Sequence, residues 1–280
     1  MGCVTGSFAP FKGQRRGAKQ PITDFCPCRG QSNPSVTSRC GSLLRSVSAD
    51  VRSSDDVIAF EGQSSTGSML EWFRAQFAPT ATFQELDVEA EAAPVGSGGV
   101  IVLDTFQGCR TPHADGKARG AIWGMSLATT RGHLFRALLE GIAYGTRAMA
   151  ESAAAAGAGC GVSEHRAGGL LVPSLRRLAV VGGATKSPTF MQLLADVVGL
   201  PLITVGAGDQ ACAVAAAVVA TSGYTGQTLA TVSKAFVNDD VIYTPDAAKH
   251  AEYAFYYQQH QETYARLRPG FHAMASHLAL

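Results

Sequence analysis

The stretch from Leu178 to Val205 constrains the fold more than any other. Leu178-Ala179-Val180-Val181 is a short apolar run that predicts a strand, and Gly182-Gly183-Ala184-Thr185-Lys186 predicts a turn. Ser187 is a good helix N-cap and Pro188 suits the first helical position, so a helix is expected from there to Val198. Gly199 closes that helix in the left-handed conformation that glycine adopts cheaply. Leu200–Val205 predicts a second strand and Asp209–Ser222 a second helix. Strand, helix, strand, helix at this spacing predicts an α/β domain with a parallel or mixed sheet flanked by helices.

The chain has 280 residues, enough for one large domain or two small ones, and long enough to bury a core without staples. Its formal net charge of +1 gives no global attraction to nucleic acid or an anionic membrane, so neither is expected as a partner. The longest strongly apolar run, Ala211–Ala220, is too short and alanine-rich to span a bilayer, and the N-terminus lacks a secretory pattern. Of seven cysteines, Cys3, Cys26, Cys28 and Cys40 crowd the first forty residues. Cys26-Pro27-Cys28 lacks the two-residue spacer of a zinc knuckle. Free thiols, no metal site and a cytoplasmic setting are the expectation.

Residues 1–55 stand apart. They are rich in Gly, Ser, Pro and Arg, poor in apolar periodicity, and nearly free of acids before Asp50. They are read as a disordered or unrelated segment, with an organelle transit peptide or a misjoined exon as alternatives. Residues 56–280 form the folded unit. Within it Met69, Leu70, Trp72, Phe73 and Phe77 fall at helical spacing, and the acidic stretch Thr80–Gly99 reads as a loop. Val100–Phe106 and Ala121–Leu127 are strand candidates. Arg131 to about Ala156 is a long helix with Leu134, Phe135, Leu138, Leu139, Ile142 and Met149 on its apolar stripe, and 162–174 is loop. The alanines of 211–220 suggest a helix packed closely on a neighbour. Thr244-Pro245 opens a last helix, with tyrosines at packing positions, that Pro269-Gly270 should stop.

Two segments carry candidate chemistry. The Gly182-Gly183 turn leads from a strand into a helix N-terminus, where backbone N–H groups and the helix dipole favour a phosphate. It is neither a dinucleotide fingerprint nor a P-loop, so a plain tight turn is the competing reading. Gln107-Gly108-Cys109-Arg110-Thr111-Pro112-His113 is dense in donors, and Arg110 either clamps an anion or makes an ordinary loop salt bridge. His113 and His133 lack metal-spaced partners and read as surface or capping residues. No Ser-His-Asp or paired-carboxylate pattern stands out.

The stretch Gly120-Ala121-Ile122-Trp123-Gly124 through His133 and Ala137 to Glu140 resembles the C-terminal signature of the FGGY carbohydrate kinases. Glu61–Trp72 resembles that family's segment opening the first C-domain helix. Gln107–Pro112 resembles its Gln-Gly-x-Arg-Thr-Pro loop, Val181–Pro188 its adenosine motif, and Gln210–Ala217 its last nucleotide-side helix. The resemblance implies a ribonuclease H-like, actin-like ATPase domain that supplies most of an ATP site, with Mg2+ accompanying the nucleotide. It places Gly67, Glu71, the backbone of Gly182, Gly183 and Ala184, and the Ser187 side chain against the nucleotide.

In the family, the sugar pocket and catalytic Asp base lie in an N-terminal domain that these residues do not resemble. The C-domain's own first strands are likewise not recognisable before Glu61. The resemblance therefore implies the ATP-binding half of a kinase acting on a sugar or polyol hydroxyl, such as a ketopentose, inactive alone and without a catalytic base among these residues. A sugar would bind only together with an N-terminal domain, and homo-oligomerisation is left open. A non-catalytic pseudokinase or a fragment of a truncated gene is the alternative. Gln210 stands where the family usually has Glu, and Ala215 where it usually has Gly. With its early strands missing, the domain is expected to expose apolar surface near Val100–Phe106 and to aggregate.

Overall fold

The computed structural model describes residues 63–159, 177–205, 210–236 and 239–278. Those include seven helices: α1 (Thr66–Phe77), α2 (Phe83–Ala92), α3 (Arg131–Gly159), α4 (Pro188–Val198), α5 (Ala211–Thr225), α6 (Leu229–Phe236) and α7 (Ala247–His277). The strands are β1 (Ile101–Leu103), β2 (Ala121–Trp123), β3 (Leu178–Val180), β4 (Leu202–Val205) and β5 (Asp239–Tyr243). The expectations for 1–55 and for 162–174 lie outside the described residues.

The β3–α4–β4 unit forms as its local signals predict. Ser187 caps α4 by accepting the Phe190 N–H at 3.0 Å, and Pro188 begins the helix. Gly199 ends it at φ 75°, and a Cβ there would lie 2.6 Å from the His250 ring. Both the backbone sign and the space demand glycine. β3 pairs parallel with β4, and β4 pairs antiparallel with β5, so the sheet is small and mixed. β1 and β2 form a separate antiparallel pair.

Helix α3 is the central post. Phe135, Leu138, Leu139, Ile142 and Tyr144 are fully buried, and the helix packs against α1, α2, α4 and β1. Its start is capped by Thr130 and His133, whose hydroxyl and Nδ1 lie 2.7 Å apart. α4 adds Phe190, Met191, Leu193, Leu194, Val197 and Val198 to the same core. Full burial of each such side chain stabilises by about 1.5–3 kcal/mol. Asp196, buried on α4, accepts the Asp246 N–H at 2.9 Å and so fixes the start of α7.

The structure corrects several expectations. Thr80–Gly99 is not a loop throughout: α2 occupies its centre, held by a reciprocal cap in which the Thr82 hydroxyl accepts the Glu85 N–H and the Glu85 carboxylate accepts the Thr82 N–H. α7 runs straight through Pro269. Proline removes one helical hydrogen bond there. Downstream contacts of Phe271 and His272 hold the last turns in place. The strand candidate Val100–Phe106 shrinks to β1, and its apolar residues are not exposed. Val100 to Leu103 are buried between α3 and α7.

Ala121–Leu127 likewise shortens to β2, leaving Leu127 in solvent. α5 does contact α6, yet Cys212, Ala213, Ala216, Val219 and Ala220 stay exposed, so it is not the tightly packed helix its alanines suggest. α6 and β5 are elements that the sequence reading does not identify.

Candidate functional site: the Gly182–Ser187 turn and its surroundings

Between β3 and α4 the backbone makes one compact turn. Gly182 sits at φ 100°, ψ −170°, a region open essentially to glycine alone. Gly183–Lys186 then form a single 3₁₀ turn. The Gly182 carbonyl accepts both the Thr185 N–H at 3.2 Å and the Thr185 hydroxyl at 2.8 Å. Gly183 is exposed, and a Cβ placed on it would meet no atom within 4 Å. Leading N–H groups of such a turn have no acceptor within it, so the turn presents donors beside open space. Ala184 packs partly on the main core and fixes the depth of the turn.

The Ser187 hydroxyl oxygen accepts the Phe190 N–H at 3.0 Å, and the Asp87 carboxyl of α2 lies beside Ser187. Burial raises the Asp87 carboxyl above its ordinary value, and the Ser187 hydroxyl partly offsets this. One turn further along α2, Glu91 accepts the Thr189 hydroxyl at 2.5 Å. Two carboxylates of α2 therefore flank the start of α4. Nothing local in the sequence signals that pairing, because it joins residues about a hundred positions apart.

Gly67 and Glu71 lie one turn apart on the exposed face of α1. No atom lies within 4 Å of a Cβ at Gly67. The Glu71 carboxylate pairs with Arg74 at 2.5 Å, and that hydrogen bond holds it below the ordinary carboxyl value. The start of α1 is anchored by Gln63, whose amide donates to Asp104 at 2.7 Å and to the Ile142 carbonyl at 2.9 Å. Among the described residues no hydrogen bond joins Gly67 or Glu71 to Gly182, Gly183, Ala184 or Ser187. The six residues thus fall into two groups, four in one continuous turn and two on a helix face.

The donor-rich segment after β1 folds back on itself. Cys109 and Asp115 exchange backbone hydrogen bonds of 2.8 and 2.7 Å. Asp115 is buried and accepts from Tyr264 at 2.9 Å and from His272 at 2.8 Å, both on α7. Burial alone would raise its carboxyl, but the hydrogen bonds from His272, Tyr264 and the Lys117 N–H outweigh that and hold it low. The His113 ring stacks on Tyr264 with centroids 4.0 Å apart. Burial keeps His113 below the usual imidazole value, and Arg268 adds to this. Asp115 was not among the residues the sequence singled out, since its partners lie some 150 positions away. Among the described residues, no cluster of three or more His, Cys, Asp or Glu is spaced to hold a metal ion. None of the described helices is long and apolar enough to cross a membrane.

Against known proteins, residues 32–224 match the FGGY family of carbohydrate kinases, C-terminal domain. The chain belongs to the FGGY family. The matched stretch contains both candidate groups and the loop after β1, begins inside the segment 1–55, and ends before α6 and α7. Xylulose kinase of Bacillus subtilis (strain 168) is 28% identical over 203 residues, which cover 72% of this chain and 38% of that protein. Glycerol kinase of Saccharopolyspora erythraea is 34% identical over 162 residues, covering 58% and 29%. The crystal structure of xylulose kinase from Rhodospirillum rubrum superposes with a TM-score of 0.58 at 33% identity, covering 75% of this chain and 39% of that one. The chain thus spans less than two fifths of the length of these family members.

Proposed function

We propose that these 280 residues carry the ATP-binding side of a carbohydrate kinase, built on a ribonuclease H-like, actin-like ATPase domain. The reading rests on membership of the FGGY family and on one observation, the glycine turn at Gly182-Gly183 with open space before a capped helix N-terminus. Backbone N–H groups there would hold nucleotide phosphate, and the absence of side chains at both positions lets it approach. Ala184 and Ser187 would set the turn's depth and direction, and Gly67 and Glu71 would border the nucleotide from α1. Mg2+ would enter with the nucleotide phosphates, whose charge it neutralises.

The reaction proposed is phosphoryl transfer from ATP to a sugar or polyol hydroxyl, with a ketopentose as the acceptor. Transfer needs an aligned hydroxyl, a base and the charged phosphates held together. The acceptor pocket and base are assigned to the family's other domain, so the 280 residues alone should release no ADP in response to xylulose, ribulose or glycerol. Calorimetry tests the nucleotide half of the proposal. Wild-type chain should bind Mg-ADP, and Gly183→Val should lose it, because a branched side chain fills the open approach. Equal affinity in the two would move the site elsewhere, and sugar phosphorylation by this chain would require a base among its own residues.

A further inference from the structure

We propose that the outer face of the loop Gln107–Lys117 is a second oxyanion subsite, one that takes a phosphomonoester. The loop leaves a shallow depression of about 290 Å³ lined by Ser64, Gln107, Gly108, Cys109, Arg110, Ala114 and Gly116. Small residues, Gly108, Ala114 and Gly116, keep it open, and the Gly108, Cys109 and Ala114 N–H groups are engaged within the loop. Its polar rim is a hydroxyl, an amide and a guanidinium. Arg110 is exposed, and no carboxylate pairs with it among the described residues. Of the two readings open for this arginine in the sequence, a loop salt bridge and an anion clamp, the first has no partner here.

Charge around the loop is segregated. Arg110, His113, Lys117 and Arg119 lie on it or at its end, with Asp115 as the single acid. Asp115 faces inward, where Tyr264, His272 and Arg268 of α7 satisfy it. Asp104, just before the loop, also turns inward, to Gln63 and to His260 at 3.5 Å. Arg119 donates to the Gly116 and Ala118 carbonyls and stiffens the floor. Cys109 adds no negative charge at neutral pH, because burial pushes its thiol up to about 11. The outer face therefore offers the planar fork of Arg110 beside Ser64 and Gln107, with no competing carboxylate from the loop, and a guanidinium without a carboxylate partner is the chemistry that recognises an oxyanion. That the oxyanion is a phosphomonoester rests on the kinase reading, whose product is such an ester. Oxyanion binding itself does not rest on it.

The test is calorimetry on the full chain with glycerol 3-phosphate, inorganic phosphate and Mg-ADP as separate titrants. Glycerol 3-phosphate and phosphate should bind the wild type weakly. Arg110→Gln should weaken both by about three- to tenfold, and Arg110→Lys by less, since charge stays but the fork is lost. Mg-ADP affinity should not change. Should Arg110→Gln fail to fold, Gln107→Ala, at another lining residue of the same depression, gives the same readout. Unsaturable binding by the wild type, or equal ester affinity in wild type and Arg110→Gln, overturns the subsite. A loss confined to Mg-ADP also overturns it, because Arg110 would then serve the nucleotide. Ester binding that depends on Arg110 in a chain with no Mg-ADP affinity would sink the kinase reading and leave the subsite standing.

Discussion

Glu140 shows how much one side chain can hold together. It closes the signature stretch that begins at Gly120, and it is only 1% exposed. One oxygen accepts the Gly96 N–H at 3.0 Å and Arg136 Nε at 2.9 Å, and the other accepts the Ser97 hydroxyl at 2.8 Å. Arg136 in turn donates to the Ala90 and Ala93 carbonyls and to the Tyr253 hydroxyl. The pair thereby joins the end of α2, the Val95–Gly99 bend, α3 and α7. Burial pushes the Glu140 carboxyl up, against the pull of Arg136, Ser97 and Gly96. Glu140→Ala strands Arg136 and should cost about 3–5 kcal/mol in urea unfolding. Glu140→Gln keeps an acceptor for Gly96 and a donor for Ser97, so its cost should be smaller, about 1–3 kcal/mol. Equal losses would show that charge, not the shape of the clamp, matters at this position.

At the scale of elements, local signals explain what the sequence reveals. The β3–α4–β4 unit was legible because cap, first-turn proline and closing glycine are all nearest-neighbour chemistry. α2 carried an equally local signature, Thr82 followed three residues later by Glu85, which its acidity and the glycines after it obscured. α7 outruns its local signals for the opposite reason. A proline rule read at Pro269 cannot see that Asp115, far away in sequence, holds His272 beyond it. The candidate turn at Gly182 was legible in the same way as α4, whereas Asp87 behind Ser187 and the Asp115 latch are products of packing.

The Asp115 latch makes its own prediction. Asp115→Asn should speed amide exchange over residues 264–277 and cost about 1–3 kcal/mol. Its carboxyl is held below the ordinary 3.8, so the folded state binds that proton less readily than the unfolded one. The stabilisation is therefore complete above pH 3.8 and lost as pH falls through the lower folded value. Melting temperatures of wild type and Asp115→Asn should converge below that pH. A gap that persists in acid would place the stabilisation in something other than the carboxylate.

For the molecule as a whole, the turn at Gly182-Gly183, proposed above to hold nucleotide, separates two demands that such a site makes on a fold. Gly182 meets a backbone demand, since its φ/ψ region is essentially closed to other residues. Gly183 meets none that the folded chain itself imposes, for a Cβ there would touch nothing within 4 Å. Gly182→Ala should therefore lower the melting temperature of the free protein, at a cost of about 1–3 kcal/mol in strain. Gly183→Val should leave the free protein's melting temperature nearly unchanged. The two should then differ in what nucleotide does. A ligand that binds only the folded state at a hundredfold excess over its Kd stabilises by about 2.7 kcal/mol. In a chain of this size each kcal/mol shifts the melting temperature by roughly 2–4 °C, so saturating Mg-ADP should raise it by about 5–10 °C in the wild type. Gly183→Val should show no such rise. A free-state loss in Gly183→Val equal to that in Gly182→Ala would mean the open space at the turn is filled in solution. An undiminished ADP response in Gly183→Val would remove the turn from the nucleotide site altogether.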